Sequence, residues 1–334
     1  MHNRYLLPLL AVLNILLILP LSCTKESGKG AVCRSAYYWS TTFALDTAQQ
    51  GFIHRESISK LYLRYFDVVV DADGKVMPNA TVRFLSGRPK GVEIVPTVYI
   101  MNNCMDKNIS NLDSLLLHRV LQMNETNDID SVGELQIDCD WTISTRDKFF
   151  SFLEKLSYRA LQKGIKLSVT IRLHQLSQPV PPVSRGVLMM YNTGDVREAY
   201  NDRNPILDMR DVRPYLRYLK NYDLSLSTAY PVFAWNVLYR DGKYVGILHG
   251  DDDFPVIAGD VIKVFEPSLN TVIEARDAVG SNRADANTET VLFDISSKNI
   301  QRINQYHYEK VYIMYSSALY SRMYQAHLYN NIYR

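Results

Sequence analysis

The chain has 334 residues, with 37 basic and 35 acidic side chains and no basic block. That balance argues against a nucleic-acid partner. Four cysteines without a CxxC pair or a metal-ligand spacing argue against a zinc site or a disulfide scaffold, so neither a metal nor a cofactor is expected.

In chain order, Arg4 precedes an apolar run from Leu6 to Leu21, interrupted by Pro8, Asn14 and Pro20, that ends at Ser22-Cys23. The run is shorter than the roughly 20 residues that span a bilayer, and its layout is that of a signal peptide. The Leu-Ser-Cys ending resembles a bacterial lipoprotein signal. The resemblance implies cleavage before Cys23 and acylation of its thiol, although Pro20 stands where a Leu is usual. Residues 1–22 are therefore read as a signal peptide, 23–34 as a lipidated tether and 35–334 as the folded part. The expected location is extracytoplasmic, on a bacterial membrane at its periplasmic face or the cell surface. An ordinary secretory signal, leaving Cys23 free, is the alternative.

About 310 residues follow the signal, enough for one large domain or two small ones. Apolar strand-like runs recur at 35–43, 60–70, 92–101, 133–141, 166–173, 186–192, 226–238 and 290–295. Helical periodicity appears at 112–123, 146–163 and 211–221, with a Tyr-rich last element at 299–320. Strand–helix alternation predicts a parallel sheet, and eight runs in this length predict an α/β (β/α)8 barrel. The connection from Gln175 to Arg185 carries Pro179, Pro181 and Pro182 and is too short for a helix. Residues 239–287 are too long for a simple crossover and are read as an insertion between strands seven and eight, with a hairpin turn at Arg240-Asp241-Gly242-Lys243. Cys33 and Cys104 are compatible with a disulfide but not indicative of one.

The sharpest signal is Gln136-Ile137-Asp138-Cys139-Asp140-Trp141-Thr142. Alternation places Gln136, Asp138, Asp140 and Thr142 on one face and the apolar residues on the other. Two carboxylates on one strand face, roughly 7 Å apart along the strand, are expensive to bury without partners or a task. In a barrel of this kind active sites lie at the carboxyl ends of the strands. Those ends supply Arg64 and Asp67, Tyr99, Asp138 and Asp140 with Trp141, Arg172 and His174, Tyr191 and Asn192, and Trp235. Acids, an arginine, a histidine and aromatics suit a polyhydroxylated ligand, with rings stacking on its C–H faces and charged groups bonding its hydroxyls. Asp138 and Asp140 are the candidates for acid–base chemistry, the deeper Asp138 holding or orienting a proton; Asp67 and Asp294 are reserve acids. A structural ion pair with Arg172 or Arg64 is the competing explanation of the two aspartates.

The Gln-Ile-Asp-Cys-Asp-Trp stretch resembles the fourth-strand signature of family 18 glycoside hydrolases, which runs Asp-x-Asp-x-Asp-Trp-Glu or close to it. Asp138 and Asp140 match its middle and last aspartates, and Trp141 the residue before the acid. Gln136 replaces the first aspartate, and Thr142 stands where the catalytic glutamate would be. With Arg-Tyr-Phe-Asp, Thr-Ile-Arg-Leu-His and Leu-Met-Met-Tyr-Asn, most of residues 35–320 is similar to an uncharacterised glycosidase-like barrel family of envelope lipoproteins. The resemblance implies a carbohydrate partner, bound or hydrolysed. Thr142 opens the alternative of a non-catalytic glycan-binding or scaffolding protein.

Overall fold

The computed structural model describes residues 32–130, 132–198, 202–248 and 254–313. The leader, Cys23, residues 249–253 of the insertion and residues 314–320 of the Tyr-rich last element lie outside the described residues. Eight parallel strands close a barrel: β1 (Cys33–Tyr38), β2 (Lys60–Val70), β3 (Glu93–Ile100), β4 (Glu134–Asp138), β5 (Lys166–Ile171), β6 (Arg185–Met189), β7 (Leu226–Pro231) and β8 (Glu289–Phe293). Each pairs with the next, and β8 pairs with β1 in register Ser35 to Val291, so no edge is left. The (β/α)8 class expected from the sequence is the fold observed.

Helices α1 (Thr47–Arg55), α2 (Leu112–Thr126), α3 (Arg146–Leu161), α4 (Met209–Leu219), α5 (Leu269–Asn282) and α6 (Ser297–Tyr306) surround the strands. The pleat sorts side chains accordingly. On β4, Leu135 and Ile137 are fully buried behind the barrel wall, while Glu134, Gln136 and Asp138 point inward and bond residues of other strands. The proline-rich link between β5 and β6 holds only a 3-10 turn, Leu173–Ser177, because its prolines cannot donate the bonds of a longer helix.

Several boundaries differ from the apolar runs. The run at 226–238 is two elements: β7 and a separate strand, Trp235–Arg240, at the centre of a small antiparallel sheet with Lys243–Leu248 and Val261–Phe265. Apolar composition continues across the change of direction, so periodicity alone does not mark it. The turn at Asp241-Gly242 is a two-residue hairpin, with both residues at positive φ (51° and 71°) and Arg240 opposite Lys243. Helices α1 and α5 have weak apolar periodicity. Their caps are the missed signal: Asp46 and Gln49 form a capping box, and Ser268 accepts from the Thr271 amide.

The amino end of the barrel is closed by charge. Lys60, Glu134, Arg185 and Glu289 are the first residues of β2, β4, β6 and β8, one layer contributed by alternate strands. Lys60 Nζ lies 2.9 Å from Glu134 Oε2, and Arg185 bridges Glu134 and Glu289. Glu289 also accepts from Ser35 at 2.6 Å, Ser227 at 2.8 Å and Tyr62 at 3.1 Å. Burial pushes the Glu289 carboxyl up, but Arg185, Lys60 and the Ser35 bond outweigh it and hold the group below its ordinary range. Cys33 begins β1 at this end, whereas Cys104 is buried in the turn after β3 at the other, so the two stay free, as does Cys139.

Candidate functional site

The open end of the barrel carries the polar residues of the strand ends. Asp138 closes β4 with its side chain 6 % exposed, and its Oδ1 accepts from Thr170 Oγ1 at 2.6 Å and from Arg172 Nη2 at 3.2 Å. Asp140, two residues on, is 48 % exposed and accepts a short bond from Arg172 Nε. One guanidinium therefore serves two carboxyls. Arg172 is held in turn by its own backbone: its amide donates to Gln175 Oε1 at 2.8 Å, and Gln175 Nε2 donates to the Trp141 carbonyl at 3.0 Å. The 3-10 turn after β5 is thus tied to the exit of β4, which fixes the geometry of the acid pair.

Sharing the cation sets the electrostatics. Burial raises the Asp138 carboxyl above its usual range, and Arg172 opposes this only in part, because Asp140 takes the shorter bond and adds its own repulsion. Tyr99 is pushed up to about 12, first by burial and then by Asp140 and Asp138. Burial likewise raises Tyr37 and Tyr191, so all three phenols remain neutral donors at physiological pH. Burial lowers His174 against the pull of Asp140, which leaves its imidazole neutral at pH 7.

Asp140, Arg172, His174, Tyr191 and Asn192 line one cavity of about 300 Å³, together with Thr193 and Tyr215. Asn192 reaches the mouth because it sits at φ 56°, a left-handed conformation that Asn tolerates better than most residues. Asp138 lies beneath the clamp, behind Asp140. Arg64 and Asp67 pair with each other, with a second bond of 2.8 Å, and Arg64 stacks over Trp39 at 5.7 Å. Trp235 belongs to the insertion and packs on Phe233 with centroids 5.6 Å apart. Trp141 does not reach the cavity. It is 1 % exposed and packs on Phe149 and Phe150 of α3, because its parity on the exit of β4 is that of the outward residues. Asp294 is also elsewhere, accepting from the Ser296 amide at 3.1 Å and from Asn299 at 2.5 Å at the start of α6.

Position 142 is a hydroxyl site. Thr142 Oγ1 lies 2.9 Å from Ser144 Oγ, and Thr145 Oγ1 donates to Asn102 at 2.7 Å. Sequence reasoning missed an aromatic cluster built around Phe293, the last residue of β8, which reaches the cavity wall through Tyr191. The Phe293 ring centroid is 4.7 Å from Tyr191, 5.2 Å from Tyr37, 5.6 Å from Trp39 and 5.8 Å from Phe233. The strand-end rule applied to β8 would have found Phe293. Tyr215 comes from helix α4, where no such rule applies. Among the described residues no group of three or more His, Cys, Asp or Glu side chains is placed to hold a metal ion.

No family model and no curated protein matches the sequence. Solved structures do share its fold. The spore cortex-lytic enzyme SleL of Bacillus megaterium QM B1551 superposes with a TM-score of 0.51 at 12% identity, over 84% of this chain and 75% of that one. A chitinase from Chromobacterium violaceum gives 0.51 at 13% identity over 82% and 98%. A chitinase from Bacteroides thetaiotaomicron gives 0.50 at 12% over 86% and 100%. The likeness is one of fold: this chain has the parallel eight-stranded barrel of those enzymes, the fold implied by the fourth-strand resemblance to family 18 glycoside hydrolases.

Proposed function

We propose that this chain is an extracytoplasmic, lipid-anchored, glycoside-hydrolase-like barrel that binds a glycan at the carboxyl ends of its strands without cleaving it. The observation that carries the reading is the Arg172 clamp beside a hydroxyl at position 142. Two-carboxyl glycoside hydrolysis needs one carboxyl that donates a proton and one that is ionised, while the substrate-assisted route of family 18 still needs the proton-donating carboxyl at the position that Thr142 occupies. Here the solvent-facing carboxyl, Asp140, is engaged by a guanidinium, and Asp138 lies buried beneath it. The cavity wall carries a carboxyl, a guanidinium, an imidazole, the Asn192 amide and the side chains of Tyr191 and Tyr215, and polar groups beside aromatic residues are what hold sugars. The chitinase and cortex-lytic neighbours supply the class of ligand to try first.

Hydrolysis is a second reading, favoured by one feature: burial keeps Asp138 above the ordinary carboxylate range, which suits a proton reservoir under Asp140. Calorimetry and a reducing-end assay with chitooligosaccharides and bacterial cell-wall glycans separate the two. Saturable binding without new reducing ends supports the binding reading. Reducing ends that disappear in Asp138→Asn decide for hydrolysis, and neither signal removes the glycan reading. The anchor is tested separately: the protein should enter the detergent phase of a Triton X-114 separation, and Cys23→Ala should leave it in water.

A further inference from the structure

The charge of the cleft narrows the ligand, given the glycan-binding reading above. One carboxyl, Asp140, and one guanidinium, Arg172, stand at the cavity wall, and a second carboxyl, Asp138, lies buried beneath them on the same guanidinium. Among the described residues no second cation completes the pairing. The neighbouring Arg64 is spent on Asp67, and His174 is neutral at pH 7. Asp140 bonds Arg172 through Oδ1 alone, and its side chain remains 48 % exposed at the cavity wall. Tyr215 lines the same space, as does Tyr191, whose ring packs on Phe293, and an aromatic face turned toward an ammonium attracts it by cation–π interaction.

We propose that the cleft selects an amino sugar whose amine is free and protonated over the same sugar in N-acetylated form, with Asp140 receiving the ammonium. An acetamide carries no charge to answer the surplus carboxyl, and an acidic sugar would meet it as a like charge. A free ammonium supplies the second cation that the cluster lacks, and three donors with it. The geometry then has Asp140 shared between Arg172 Nε on one oxygen and the ligand on the other. Asp140 acts here as a specificity-determining residue, separate from any role in bond cleavage.

The test is calorimetric titration of the purified protein at pH 7 with β-1,4-linked glucosamine tetrasaccharide and its N-acetylated counterpart. The expected result is at least about tenfold tighter binding of the free-amine form, equivalent to about 1.4 kcal/mol. The preference should shrink to below about twofold in Asp140→Asn, and also in wild type at 1 M salt, where the screening length is about 3 Å. Because the salt arm uses the unaltered protein, it holds even if the variant folds poorly. Equal or tighter binding of the N-acetylated tetrasaccharide overturns the inference and leaves the glycan reading intact. A preference that survives both Asp140→Asn and high salt overturns it as well, since Asp140 is then not its source. No binding of either sugar by folded wild type removes both.

Discussion

The two ends of the barrel hold charged clusters of opposite design. At the amino end Lys60 and Arg185 face Glu134 and Glu289, two cations to two anions, with Glu289 also accepting from Ser35, Tyr62 and Ser227. At the carboxyl end one guanidinium faces two carboxyls, one of them open to solvent. The balanced cluster holds a carboxyl below its ordinary range and the unbalanced one holds a carboxyl above it. Charge that is matched and buried is costly to unpair and so belongs to the fold. Charge that is one cation short and wet is available to a ligand.

The largest expected effect breaks the amino end. Glu289→Ala leaves Arg185 and Lys60 short of a buried partner, and denaturant unfolding should show a loss of about 3–5 kcal/mol with ligand binding unchanged per folded molecule. A loss below about 1 kcal/mol would mean that the layer is solvated and not a plug.

Next comes Arg172→Met at the other end. Two carboxyls are left facing each other, so a loss of about 2–3 kcal/mol is expected at pH 7, less than at the amino end because Asp140 can turn to water. That loss should diminish as pH falls and Asp138 takes up a proton. An unfolding profile that stays flat with pH would show that the two acids do not interact.

The wild-type pH profile sharpens the contrast further. Glu289 has a depressed folded value, so its contribution is present above the unfolded value near 4.3 and is lost as pH falls through the lower, folded value. Asp138 has a raised folded value, so it weakens the fold as pH rises from about 3.9 through that value. Stability should therefore rise modestly as pH falls through the raised Asp138 value toward about 3.9 and collapse only below about pH 4. Asp138→Asn should reduce the rise to the share of Asp294, whose carboxyl burial also raises, and keep the collapse, with the melting temperature at pH 7 changing by only a few degrees. A rise that persists undiminished in the variant assigns it to another group.

Thr142→Glu has the smallest structural effect. The position is exposed, so stability should stay within about 0.5 kcal/mol. If the cleft otherwise keeps the geometry of a glycoside hydrolase, the variant should release reducing ends where the wild type does not. A variant that binds as before and releases none would locate the deficit in the Arg172 clamp.

The chain itself determined much of this. Eight apolar runs at regular spacing demand a closed parallel barrel, because a sheet buried on both faces needs continuous apolar strands and helices to cover it. The period-two pleat placed Asp138 and Asp140 on the polar face of β4, and their parity brought them to Arg172. Parity also put Trp141 on the opposite face, among the helices, which composition at a strand end does not reveal. Other features are set by pairings distant in sequence. Lys60, Arg185 and Glu289 become one layer only when strands more than a hundred residues apart are brought into register. Phe293 meets Tyr37 only because β8 closes onto β1. Which carboxyl is matched and which is left over depends on where a guanidinium lands. The stoichiometry of charges in space is a property of barrel closure, and no local pattern in the sequence encodes it.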